Sequence, residues 1–114
     1  MEERTLGSSV LSAGGTTPVP EEAMDAMGLR LGGDGREKIL WTVHGVESIV
    51  ARGRPQSSFR KTMLRKNGST AVPKHVMKAM KLSSKPGREE RLLWVQRGGQ
   101  VVVKKEPLRS RPTG

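Results

Sequence analysis

The chain has 114 residues, 33% of them hydrophobic and 28% charged, with 21 Lys and Arg against 11 Asp and Glu and no Cys. That length suits one domain and would leave two separately folded units too little core each, while the missing Cys excludes disulfides, thiolate nucleophiles and Cys-ligated zinc. A net charge of +10 favours a polyanionic partner, nucleic acid ahead of a membrane surface, because no long amphipathic basic helix is present. In chain order, a first short strand ends in "SSVLSAGG" from Ser8, and a second follows at "TTPV". Pro20 suits the first turn of a helix, Glu21 and Glu22 favour its N-terminus, and Gly28 sits where a left-handed cap is expected. "LGGDG" from Leu31 is a helix-to-strand connection. "EKILWTV" and "ESIVARG" then read as two strands joined at "HG".

After the linker "RPQSS" the same series returns. "FRKTML" is a short strand running into the turn "RKNG", where Asn67 and Gly68 tolerate positive φ; "STAV" is the second strand. "PKHVMKAM" gives about two helical turns, with Lys81 in the place of Gly28. "REERLLWVQ" and "QVVVKKE" are strands joined by "RGG". Sliding the sequence by 53 positions aligns residues 6–53 with 59–106 without a gap. The identities include Leu11 with Leu64, Gly15 with Gly68, Pro20 with Pro73, Met24 with Met77, Leu29 with Leu82 and Val50 with Val103. Both Trp of the protein, Trp41 and Trp94, occupy one repeat position. Two copies are too few for a solenoid, so a pseudo-twofold pair sharing one core is expected. The four helical Met and the two Trp belong to that core, and His44 and His75 to the surface.

The copies differ in charge. Residues 6–53 hold four basic and six acidic residues, whereas residues 59–106 hold thirteen basic and three acidic. In the second copy Lys74, Lys78 and Lys81, spaced i, i+4 and i+7, fall on one helical face opposite Val76 and Met80. The first copy carries Glu21, Asp25 and Gly28 there. The buried face is kept and the exposed face is changed. A lysine stripe of this kind is suited to phosphate contact, and Arg60, Lys61, Arg65, Lys66 and Asn67 add a basic strand and turn.

The second copy, "TMLRKNGSTAVPKHVMKAMKLSSKPGREERLLWVQRGGQVVVKK", resembles the AbrB/MazE/SpoVT swapped-hairpin domain: a strand, a Gly turn, a short strand, a Pro-started helix, a loop and a Val-rich hairpin. The resemblance covers residues 59–106, and a more divergent likeness covers 6–53. In that family two chains interleave their hairpins into one small barrel that binds DNA. The resemblance therefore implies an α+β fold, mainly β with short helices: a swapped-hairpin barrel built as an intrachain pseudo-dimer from two ββαββ repeats. The expected organisation is a first, acidic repeat at 6–53, a linker at 54–58, a second, basic repeat at 59–106 and a basic tail at 107–114. Family contacts with DNA come from the strand and turn, which here are Arg60, Lys61, Arg65, Lys66, Asn67 and Ser69, joined by Lys74, Lys78 and Lys81. Relatives often carry Arg four residues after the helix-starting Pro, where this chain has Met24 and Met77, so no contact carries over at that position.

Two His without Cys give no metal constellation and no nucleophile with an adjacent base, and "LGGDG" lacks the Lys and Ser/Thr of a phosphate-binding loop. No enzymatic activity, cofactor or metal is expected. The expected function is duplex DNA binding, as a transcriptional regulator or a nucleoid-associated protein, with further self-association on DNA. The alternative is an antitoxin-like interaction module, for which the segment "PLRSRPTG" makes a poor toxin-wrapping helix. With no run near 18 apolar residues and no basic-then-apolar start, the expected location is the cytoplasm, at the nucleoid.

Overall fold

The structure is a computed structural model that describes residues 3–12, 14–30, 37–53, 61–65, 67–82 and 90–106. Each copy folds as two strands, a helix and two strands. The first gives β1 (Glu3–Leu11), β2 (Thr16–Pro18), α1 (Glu21–Met27), β3 (Lys38–His44) and β4 (Glu47–Arg52). The second gives β5 (Lys61–Met63), β6 (Ser69–Ala71), α2 (Lys74–Ala79), β7 (Glu90–Arg97) and β8 (Gln100–Lys105). Among the described residues the chain is mainly β with two short helices, an α+β arrangement. Turn chemistry explains the hairpins: Gly98 and Gly99, with φ of 57° and 83°, close β7 onto β8, and Gly45, with φ 67°, closes β3 onto β4.

Six strands form one sheet in the order β1-β7-β8-β4-β3-β5, and β2 and β6 form a separate ribbon; the described strands do not close into a single sheet. The pairing crosses between copies. β1 of the first copy lies on the hairpin β7–β8 of the second, and β5 of the second lies on the hairpin β3–β4 of the first. The registers obey the 53-residue shift. Ser8, Ser9 and Val10 face Leu93, Leu92 and Arg91, while Lys61, Thr62 and Met63 face Leu40, Ile39 and Lys38. Exchanging the copies therefore maps one pairing onto the other. The exchange axis passes through two pairs that map onto themselves, Ile49 with Val102 and Thr17 with Thr70.

The helices follow the same crossing: α1 packs against β1, β7 and β8, and α2 packs against β3. The core fills the space between the sheet and the layer of helices and ribbon. It contains Leu6, Val19, Met24, Leu29, Ile39, Val50, Val76, Met80, Leu92 and Val103, with Met27 and Met77 packed against it. At its centre Trp41 and Trp94 meet edge to face with ring centroids 6.1 Å apart. A buried indole N–H needs a partner, and each Trp finds one on the strand contributed by the other copy. Trp94 Nε1 donates to Ser9 Oγ at 2.8 Å, and Trp41 Nε1 donates to Thr62 Oγ1 at 2.8 Å. Each acceptor hydroxyl lies 2.7 Å from a ribbon threonine, Thr17 or Thr70. Those threonines reach the carbonyls of Val10 and Met63 at 3.0 Å. These twin networks tie strand, ribbon and hairpin together in both copies.

One glycine is fixed by packing. Gly7, with φ 155°, sits at the irregularity in β1, and a Cβ there would lie 2.8 Å from the Pro20 side chain. Strand β1 thus bends closely around the start of α1.

Candidate nucleic-acid interface

The turn before β6 is held by its own side chains. Arg65 N–H donates to the Ser69 carbonyl at 2.8 Å and Gly68 N–H to the Arg65 carbonyl at 2.9 Å. Asn67 Oδ1 accepts from Ser69 N–H at 3.1 Å and from Ser69 Oγ at 2.7 Å. Among the turn's described residues positive φ falls on Gly68 alone, at 85°. Asn67, which tolerates positive φ, does not adopt it; its side chain supplies the turn's hydrogen bonds. Asn67 and Ser69 therefore shape the loop that presents exposed Arg65. Arg60 and Lys66 lie outside the described residues. In the first copy the matching turn is small and neutral, with Ser12 Oγ 2.7 Å from Thr16 Oγ1. The two turns meet at the axis, where Val19 N–H donates to Gly68 O and Val72 N–H to Gly15 O, both at 2.8 Å.

Lys74 and Lys78 are exposed on α2 while Val76 is fully buried beneath them. Lys81 departs from the expected helical stripe. The helix stops at Ala79, and Lys81 adopts the left-handed conformation with φ 56°, as Gly28 does after α1 with φ 77°. Leu82 N–H donates back to Met77 O at 2.8 Å, as Leu29 N–H does to Met24 O at 2.9 Å. The fold demands this ending at both helices. Only the first copy supplies the residue that adopts it without strain. Lys81 remains exposed, beyond the helix rather than on its face.

Strand β5 brings Lys61 to the outward side of β3. Lys61 faces Leu40, and Lys38 lies one diagonal step away, opposite Met63. Partial burial, followed by the charge of nearby Lys38, holds the Lys61 ammonium below the usual lysine range.

Crossing of the copies redistributes the charge. The unit made of β3–β4 with β5, β6 and α2 carries seven cations and two carboxylates among its described residues. The carboxylates are engaged: Glu37 pairs with Arg52 at 2.8 Å, and Glu47 with Arg97 of the other unit at 3.0 Å. Its other cations are Lys38 and Lys61 on the outward side of the sheet, exposed Arg65 in the turn, Lys74 and Lys78 on α2, and Lys81 just beyond it. The unit made of β7–β8 with β1, β2 and α1 carries six cations and six carboxylates among its described residues. There Glu3 takes Arg97 at 2.5 Å and Lys104 at 2.6 Å, and Lys105 lies 3.5 Å from Glu90. By register, Arg97 and Lys104 stand on the same face as Val95 and Val102 and on opposite sides of that pair. The ion pairs thus cross over two buried valines. Those contacts, hydrogen bonds first, pull Glu3 and Glu47 below the usual carboxylate range and push Arg97 above its own.

Among the described residues one crossed unit holds the surplus of cations, yet that surplus is smaller than the one the second sequence copy carries, so crossing reduces the charge contrast rather than creating it. Lys38, counted with the acidic copy in the sequence, belongs structurally to the cationic unit. The signal for it was the repeat itself, since pairing of β5 with β3 follows once the hairpins cross. Among the described residues no group of three or more His, Asp or Glu side chains is placed to hold a metal ion, and no helix is long and apolar enough to cross a membrane. No family model, curated protein or solved structure matches the chain.

Proposed function

We propose that the chain is a DNA-binding protein, a transcriptional regulator or nucleoid-associated protein, that places its cationic unit on duplex DNA. In this reading the two repeats form an intrachain barrel of the AbrB/MazE/SpoVT swapped-hairpin type. The observation that carries the function is the segregation of charge. Six cations from β3, β5, the following turn and α2 share one unit whose carboxylates are already paired, while the other unit is neutralised internally. Clustered surface cations attract a phosphate backbone and gain from counterion release.

Duplex binding measured across salt tests the proposal. With roughly five to seven phosphates neutralised, log K falls against log salt with a slope near −4.5 to −6, from ~0.9 per phosphate. Comparison of random and selected duplexes at fixed salt then separates a regulator from a nucleoid protein. Binding that ignores salt, or no binding at low salt, overturns the proposal.

A further inference from the structure

We propose that the cleft between the end of α1 and the root of the β3–β4 hairpin binds a small zwitterion of the α-amino-acid type. The site is independent of the DNA-binding reading. Asp25, Gly28, Leu29 and Arg30 line it from the helix end, and Glu37 and Arg52 from the hairpin root, around a volume of about 500 Å³. That is ample for a small ligand. Leu29 is buried in its wall, while Asp25 and Arg30 are exposed.

The other half of the molecule shows the same place closed. At the end of α2, Lys105 Nζ donates to the Lys81 carbonyl at 3.3 Å and lies 3.5 Å from Glu90, which ties the strand to the helix end. In the first copy Arg52, at the position of Lys105, turns to Glu37 at 2.8 Å. Gly28, at the position of Lys81, has no side chain, and a Cβ there would meet nothing within 4 Å.

Two guanidinium groups and two carboxylates line the cleft, so its formal charge is zero. Asp25 and Arg30 both border it without pairing: among the described residues neither side chain makes a hydrogen bond or an ion pair. Glu37 is half used. One of its oxygens accepts from Arg52, and the other, Oε2, is buried with no hydrogen-bond partner. A single ion would satisfy one sign of charge and leave the other unmatched, whereas a zwitterion matches both. Its carboxylate is taken by Arg30 and Arg52, whose planar donors suit that group, and its ammonium is drawn to Asp25 and Glu37.

The full chain, isotope-labelled for NMR, is titrated with glycine, acetate and methylammonium at one ionic strength. Glycine is expected to shift the Gly28 and Leu29 amide signals saturably and to leave those of Lys81 and Leu82 in place. Acetate and methylammonium should bind about tenfold more weakly, since each keeps only one kind of charge-assisted contact. Arg30→Gln and Asp25→Asn, both at exposed positions, should each weaken glycine binding about tenfold, and Arg30→Lys should keep most of it. Acetate binding as tightly as glycine would make this an anion site and overturn the proposal. So would the absence of a saturable shift with glycine, or equal shifts at both helix ends. Where a variant unfolds, the three ligands on wild type decide alone. No DNA enters the experiment, so its outcome and that of the duplex measurements are read separately.

Discussion

The two crossed units share a backbone plan down to single hydrogen bonds, and they differ in the fate of their carboxylates. In the unit built on β7–β8, Glu3 and Glu90 face Arg97, Lys104 and Lys105 and neutralise them. In the unit built on β3–β4, Glu37 is held by Arg52 and Glu47 is drawn across to Arg97, which leaves six cations exposed or half-buried. Duplication preserved the buried positions, and divergence of the exposed ones gave one molecule two faces of different charge. In this crossed fold charge has to be counted by spatial half as well as by sequence repeat, and the two counts differ.

The largest expected effect probes the shared plan. Trp94→Ala should cost about 3–5 kcal/mol of stability, and Trp41→Ala a similar amount, because each ring is buried and bonded to a hydroxyl of the crossing strand. Chemical denaturation measures both. A loss confined to one tryptophan breaks the equivalence of the two halves.

The charge division should give the next largest effect. Alanine at Lys61, Arg65 and Lys78 together should weaken duplex binding by about 2–4 kcal/mol, near 1 kcal/mol per charge-assisted contact. Alanine at Arg91, Lys104 and Lys105, drawn from the same repeat but the other half, should change it by less than about 1 kcal/mol. Equal losses from the two sets would return the positive field to the sequence copy and end the spatial division.

A smaller effect concerns the ion pairs over Val95 and Val102. Glu3 and Glu47 are held below their ordinary value of 4.5 in the fold. Their contribution is therefore fully present above that value and is lost as pH falls through the lowered folded values. The melting temperature should drop between about pH 5 and about pH 3, and Arg97→Gln should flatten that drop. An unchanged pH profile in the variant would show that these pairs contribute nothing to folding.

The smallest effect sets the two helix ends against each other. Lys81→Gly should stabilise the fold by about 0.5–1 kcal/mol by relieving the left-handed backbone, and Gly28→Lys should cost a comparable amount. Thermal melts decide it. The same Lys81 change should also weaken duplex binding slightly, since it removes one cation.

Much of this is legible in the sequence. The 53-residue shift gives the strands, both helices and the hairpin turns, because glycines and prolines recur at the positions that need them. The polar groups of the core are legible in principle: Ser9 with Thr62, and Thr17 with Thr70, keep hydroxyls at matching positions. They escape notice because a short hydroxyl in a strand reads as surface until a buried indole is placed beside it. A charge count along the chain puts Lys38 with the acidic copy, since it has no knowledge of which hairpin receives which strand. The left-handed Lys81 is hidden as well. Lysine carries no signal for positive φ, and only the Met77 to Leu82 bond imposes it.

The crossed pairing also has a kinetic side. Glu3 and its partner Arg97 are 94 positions apart, so β1 has no place in the sheet until nearly all of the described chain has been made. Contacts this distant slow folding by the entropy of closing the intervening loop. During that wait the edge of β1 is open to any suitable hairpin. The β7–β8 hairpin of a second molecule offers the same register as the chain's own. At high protein concentration the intramolecular search competes with exchange between molecules, and the yield of single-chain folds becomes a matter of how dilute the newly made protein is.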